Sequence, residues 1–218
     1  MSALYRYLMS SVLLSQRYLP PTLIFLAAMA VGTTADNGPL LSSYSFCVLA
    51  MLVCTTWLSV SILNHEDPTQ RKITLVMIGS SLRVLAVTVA VVLTWCVPLL
   101  IIGLAYPIVL GKHAYTAGDL VVGAAAQLGA AMIGIAIGLL CSRLVIPRIG
   151  IAMLTAAAGI LAVLLIRWIS PIRPLMKLLS NNHTPGADAA PVTLLTALAV
   201  VMLLAALFAT RALADRKE

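Results

Sequence analysis

The sequence predicts an all-α integral membrane protein with six transmembrane helices, an N-terminal interfacial helix, a short charged cytoplasmic helix and an outer amphipathic hairpin. Three observations lead there. Hydrophobic residues make up 61% of the 218 residues and charged ones 10%, where soluble domains carry about 25% charged residues. The apolar residues fall into six stretches, each long enough to cross a bilayer core that takes about 20 helical residues, and short polar connectors divide them. The basic residues gather on alternate connectors, so the net charge of +7 reads as a membrane orientation signal rather than a nucleic-acid surface.

Residues 1–17 mix Arg6, Arg17, Tyr5 and Tyr7 with Leu4, Leu8, Met9, Val12, Leu13 and Leu14. Apolar residues at helical spacing with basic and aromatic companions form a helix lying in the interface. A cleavable signal peptide is the competing reading, against which the long leading region argues. The first span is 18–34, with Pro20 and Pro21 in its opening turn. After the turn at 35–39 comes the second span, 40–63.

From Ile73 to Leu110 the chain is mainly apolar and too long for one straight span. Gly79-Ser80-Ser81 and Arg83 divide it into a charged helix within 64–80 and a third span at 82–105, with a bend at Pro98. The fourth span is 120–141 and the fifth 149–166. The outer hairpin occupies 167–190, the sixth span 191–210 and a charged tail 211–218. Ten cations (Arg6, Arg17, Arg71, Lys72, Arg83, Arg143, Arg148, Arg211, Arg216, Lys217) fall on one side and four (Lys112, Arg167, Arg173, Lys177) on the other. The positive-inside rule then puts both termini in the cytoplasm, with the cell membrane as the location.

Much chemistry is excluded. There is no Gly-x-x-x-x-Gly-Lys-Ser/Thr phosphate loop, no Gly-x-Ser-x-Gly elbow and no His-Glu-x-x-His pair. All seven acids (Asp36, Glu66, Asp67, Asp119, Asp188, Asp215, Glu218) sit in connectors or the tail. The spans therefore lack the carboxylates that ion-coupled carriers place at depth. Cys47, Cys54, Cys96 and Cys141 fall inside spans as small apolar residues. His65, His113 and His183 are each alone in different connectors, so no metal site and no bound cofactor is expected.

Three polar or small-residue segments remain. In the stretch from Asn64 to Lys72, Asp67 can cap a helix, Pro68 suits its first position and Gln70 can reach back to the cap. It is either a capped entry into the third span or a docking element that presents Glu66, Asp67, Arg71 and Lys72 to a cytoplasmic partner. In the fourth span, Gly134-x-x-x-Gly138 with neighbouring alanines makes a small-residue face for helix packing. Gln127 on that span is expected to form an interhelical hydrogen bond. In the outer hairpin, Arg167, Trp168, Arg173 and Lys177 mark a membrane-lying connector or an outer gate, with Ile172, Leu175, Met176 and Leu179 against lipid or helices.

With these residues in place, the string Trp57-Leu58-Ser59-Val60-Ser61-Ile62-Leu63-Asn64-His65-Glu66-Asp67-Pro68-Thr69-Gln70-Arg71 and the layout around it resemble the permease subunit of type-two ATP-binding-cassette (ABC) exporters, in particular small actinobacterial members. The family often carries an Arg-Glu pair followed by Gly-Thr where this chain has His65-Glu66-Asp67-Pro68. The resemblance implies that 64–80 is a coupling helix and 5–17 the connecting helix. It also implies that two permeases pair, as copies or paralogues, and that each docks a separate ATP-binding subunit. Glu66 and Asp67 match the acidic coupling position, with Gln70, Arg71, Lys72, Arg6 and Arg17 as further partner contacts. ATP and magnesium would be held by the partner, and a hydrophobic or amphipathic compound would move between the permeases. A membrane scaffold and, more remotely, a lipid-modifying membrane enzyme are the alternatives.

Overall fold

The computed structural model describes residues 2–34, 40–65, 68–111, 116–143, 145–146, 148–166, 172–180 and 185–215. Among them every regular element is helical: α1 (Ser2–Ser15), α2 (Leu19–Thr34), α3 (Leu40–Leu63), α4 (Pro68–Ile78), α5 (Ser81–Gly111), α6 (Ala117–Leu140), α7 (Ile149–Leu165), α8 (Ile172–Ser180) and α9 (Pro185–Asp215). Four stretches are long and apolar enough to cross a membrane: Ser43–Leu63, Ser81–Val109, Ala117–Leu140 and Ala190–Leu213. The pair α1 and α2 makes a fifth if taken together, although the two are bent by 69° at their junction. The chain is a helical, multi-pass membrane protein. A continuous helix satisfies every backbone group internally, which the bilayer core demands.

Two long helices run past the bounds expected from sequence. α5 continues through Pro98 and Pro107 to Gly111 instead of stopping at residue 105. Proline removes one backbone hydrogen bond and disfavours helix in the residue before it. In a membrane helix, neighbouring elements offset that loss and the helix continues. At 31 residues, α5 is about 46 Å long at 1.5 Å per residue, well beyond a hydrocarbon core of about 30 Å. Likewise α9 starts at Pro185, with Pro191 inside it. Proline's fixed φ suits a first helical position, so Pro185 opens the helix that sequence reasoning begins at residue 191.

Turn chemistry sets the sharp changes of direction. Gln16 adopts φ 53°, a left-handed conformation, between α1 and α2. Gly79 does the same between α4 and α5 at φ 69°, and its N–H donates to the Leu75 carbonyl at 2.8 Å. That is a left-handed helix end, which glycine adopts without a Cβ penalty.

α6 is the centre of the bundle, with its most extensive contacts to α3 on one side and α9 on the other. The α3 face works because its hydroxyls are small and already satisfied. Thr55 donates to the Met51 carbonyl at 2.7 Å, Thr56 to Leu52 at 2.7 Å and Ser59 to Thr55 at 2.6 Å, all buried. Gly134 faces Thr55 and the Leu52 carbonyl, and Gly138 faces Ser59 and the Thr56 carbonyl. Small residues on both helices let the backbones approach closely. The Gly134-x-x-x-Gly138 step thus packs within the chain.

Gln127 departs from expectation. It is fully buried, yet neither Oε1 nor Nε2 has a hydrogen-bond partner among the described residues. Its amide faces Gly103 of α5, where no side chain is available to pair with it. Asp119 departs too. It lies in the first turn of α6 rather than in the preceding connector, and it is 8% exposed. Its carboxylate accepts from Thr116 N at 3.0 Å and from Thr116 Oγ1 at 2.8 Å, while Asp119 N donates to Thr116 Oγ1 at 3.4 Å. This capping box satisfies the helix's first donors; Asp119 therefore belongs to the start of α6.

α8 buries Ile172, Leu175 and Leu179 against the bundle, and it meets α3, α6, α7 and α9. Leu175 lies against Gly129, about halfway along α6. The apolar side of the hairpin therefore packs on helices and reaches well into the bundle.

Candidate docking site at the basic end of the bundle

Two turns and helix α1 meet at one end of the molecule. The residue after α3, Asn64, is buried and accepts the backbone N–H of Arg143 through Oδ1 at 2.7 Å. This ties the α3–α4 turn to the α6–α7 turn. Next to it, His65 Nε2 pairs with Ser11 Oγ of α1 at 2.7 Å. α1 is also fastened to α5, where Tyr5 OH and Thr94 Oγ1 lie 2.8 Å apart. The Tyr18 ring at the start of α2 stacks on Trp95, with centroids 4.2 Å apart and planes at 24°. Leu8 and Val12 of α1 are buried. α1 is thus clamped across the bundle by one hydrogen bond at each of two points and by an apolar stripe between them.

The electrostatics of this end are basic. Arg17, Arg83, Arg143, Arg148 and Arg211 are exposed and Arg71 is half-buried. Burial, and secondarily the nearby Arg17 guanidinium, hold the His65 imidazole below its ordinary pKa of 6.5. The neutral imidazole keeps one ring nitrogen able to accept, which suits a hydroxyl partner. His65 Nδ1, Asn64 Nδ2 and Ser142 Oγ are buried with no hydrogen-bond partner among the described residues.

α4 stands beside this junction and meets the bundle through α5. It begins at Pro68, the residue suited to a first helical position. Ile73, Val76 and Met77 are 59%, 84% and 81% exposed. Their spacing of three and four residues puts them on one face. Gln70 is exposed one turn earlier. The arrangement is a short helix that presents an apolar stripe with a polar and basic beginning.

The residues singled out from sequence divide accordingly. Gln70 and Arg71 lie on α4, as does Lys72, whose side chain is outside the description. Glu66 and Asp67, with the cap expected there, lie outside the described residues. Arg17 is brought to His65, and Arg6 sits apart on the rim of a shallow cavity of about 430 Å³ between α1 and α5. In the outer hairpin, Arg167 and Trp168 lie outside the described residues, Arg173 is placed on α8 by its backbone alone, and Lys177 is exposed in the last turn of α8. Gly134 and Gly138 face α3 and serve its packing on α6.

Sequence reasoning missed the partners that make the junction. His65 was alone in its connector by sequence, and only the fold brings Ser11 to it from 54 residues away. Asn64 directly after an apolar helix was the available signal, since a short amide at a helix end commonly binds backbone. Thr116-x-x-Asp119 ahead of an apolar run was a legible capping pattern.

Among the described residues no three His, Cys, Asp or Glu side chains gather in a way that could hold a metal ion. Compared with known proteins, the chain matches no family model, no curated protein and no solved structure.

Proposed function

We propose that this chain is the membrane-spanning permease subunit of a type-two ABC exporter, carrying a hydrophobic or amphipathic compound out of the cell. In this reading the six apolar segments are six spans, the basic end is cytoplasmic and the protein lies in the cell membrane with both termini inside. A second copy or a paralogue completes the passage. A separate subunit binds ATP and magnesium, because this sequence has no phosphate loop of its own.

The observation that carries the reading is α4. A helix of 11 residues that leaves three large apolar side chains on one face open, beside a junction that ties together α1, α3 and α6, is placed to pass motion from a partner into the bundle. α1 is clamped to α5, and α3 is tied to the end of α6, so displacement of α4 acts on the helices to which it is joined at Gly79 and at Asn64. Differential contact with two states of a partner is what shifts a conformational equilibrium.

The test is co-purification of an ATP-binding subunit with the full chain, using Glu66→Ala/Asp67→Ala and Val76→Ser/Met77→Ser. The expected result is loss of partner capture, or of ATPase turnover coupled to transport, while the permease itself still purifies as a folded protein. If the ATPase stays bound with unchanged coupled turnover in both variants, the docking assignment is wrong. If no ATPase is captured by the unaltered chain, the transport reading itself fails.

A further inference from the structure

We infer that the groove between α6, α7 and α9 is a binding site for an anionic phospholipid, with an acyl chain in the groove and the phosphate against Arg143 and Arg148. The inference rests on the groove and its rim and does not depend on the transport reading. The groove encloses about 490 Å³, within the range of roughly 300–1,000 Å³ typical of ligand sites. Its wall includes Ile137, Cys141, Gly159, Ala162, Met202 and Ala206, and none of its lining residues carries a charge or a hydroxyl. A trough with no polar wall does not hold ordered water, which needs two to four polar partners. An apolar chain fills it instead.

The volume exists because the side chains are small. At Gly159 a Cβ would come within 3.0 Å of Ile137, and alanines line much of the remainder. The groove also opens where lipid is met: Leu154, Leu161 and Leu165 on α7, and Val201 and Leu204 on α9, are exposed apolar side chains. It runs at one end to Cys141 and Ala209, and this is the basic end.

Charge complementarity selects the headgroup. Arg143 follows Cys141 by two residues and is exposed, and its backbone is held by Asn64. Arg148 is exposed and stands at the start of α7, 11 residues before the groove-lining Gly159, about 16 Å along the helix at 1.5 Å per residue. Arg148 is also the N-cap of α7, and no side chain caps that helix. A cation at the positive end of a helix is electrostatically misplaced. A phosphate beside it satisfies both the guanidinium and the open amide groups. In the same turn, Ser142 Oγ is fully buried with no partner among the described residues. Arginines at a helix groove near one leaflet are the pattern by which membrane proteins hold anionic lipids.

The experiment uses the full chain in phosphatidylcholine vesicles with trace spin-labelled phosphatidylglycerol or spin-labelled phosphatidylcholine, and reads the motionally restricted fraction of each. Phosphatidylglycerol should be held about thirtyfold more strongly at low salt, as expected for two arginines near a membrane surface. Arg143→Gln/Arg148→Gln should abolish the preference, and Ala162→Phe, which fills the groove, should remove the restricted population. Arg17→Gln/Arg83→Gln removes equal charge elsewhere and should leave the preference intact. Because both groove arginines are exposed, their variant remains informative even if Ala162→Phe does not fold. The inference is overturned if the unaltered chain shows no preference, or if the control pair abolishes it as fully as the groove pair. It is also overturned if Ala162→Phe changes only self-association, counted by single-molecule photobleaching in the same vesicles; the groove would then be an interface between copies of this chain.

Discussion

Asn64 Oδ1 accepts the backbone N–H of Arg143 at 2.7 Å, a bond between residues 79 apart in sequence. It closes the end of one of the two most extensive helix pairings among the described residues, that of α3 against α6. The bond is part-buried: Asn64 is 5% exposed while Arg143 lies at the surface, so the bond contributes as an ordinary intramolecular hydrogen bond that fixes the two turns together.

Asn64→Ala should therefore lower stability by about 0.5–1.5 kcal/mol, the net contribution of a typical hydrogen bond. Asn64→Asp should retain most of it, because a carboxylate oxygen still accepts the Arg143 backbone N–H. Thermal unfolding of the detergent-purified chain, followed by circular dichroism, measures the difference. Equal losses in the two variants would mean that the amide's shape, and not its acceptor oxygen, matters.

The pairing of His65 with Ser11 carries a pH dependence whose sign follows from the lowered imidazole pKa. In the unfolded chain the imidazole takes up a proton near pH 6.5, whereas in the folded chain it does so only at lower pH. As pH falls through about 6.5, the unfolded state binds more protons and stability declines, the decline ending below the folded value. Above about 7 the group contributes no slope. His65→Gln should flatten this part of the profile, as measured by melting temperature between pH 7.5 and 5. Cysteines placed at Ser2 and Ala86, on either side of the α1–α5 cavity, would report whether α1 loosens in the same window. An unchanged slope in His65→Gln would assign the acid sensitivity to another group.

Gly134 tests the α3–α6 seam. A methyl there would collide with Thr55 and come to 3.0 Å from the Leu52 carbonyl and 3.1 Å from Thr56 N. Backbone cannot rotate away, so the helices must separate, at a cost of about 1–3 kcal/mol typical of overpacking. Gly150→Ala is the matched control, since nothing lies within 4 Å of its added Cβ and alanine favours the helix by up to about 1 kcal/mol. Gly134→Ala should lower the melting temperature and Gly150→Ala should leave it equal or higher. If Gly134→Ala is neutral, the seam is looser than its geometry.

These positions show which parts of the molecule are legible in sequence. Apolar runs and turn residues locate the long helices, the start of α4 at Pro68 and its end at Gly79, because composition and local φ preference act within a few residues. Bounds slip where a local preference is overridden, as at Pro107 and Pro185, since a helix in lipid has no alternative partner for its backbone. The junction at the basic end was not legible. Ser11, Asn64, His65 and Arg143 belong to two separate turns and a helix, and no periodicity encodes which of them meet. The depth of α8 was hidden for the same reason: an amphipathic stripe states that a face is covered, not whether lipid or Gly129 covers it.

Gln127 gives the sharpest conflict between chemistry and position. Its amide is 0% exposed and unpartnered among the described residues, in a bundle where each unsatisfied polar group is expensive. Gly103 accommodates it: a Cβ at that position would lie 2.5 Å from Gln127 Oε1, 3.2 Å from Cδ and 3.3 Å from Nε2. Gln127→Leu removes the unpaired donors and acceptor while keeping most of the volume, and should raise the melting temperature, because replacing a buried unpaired polar group by an apolar one of similar shape is neutral or stabilising. Gly103→Ala should destabilise the unaltered chain and be tolerated once Gln127 is Ala. The two sites should then couple by about 0.5–3 kcal/mol in a double-mutant cycle, the range for residues in contact. A fall in melting temperature for Gln127→Leu would show instead that the amide is paired in the membrane, by water or by a bound compound. Gln127 would then belong to the passage rather than to the packing.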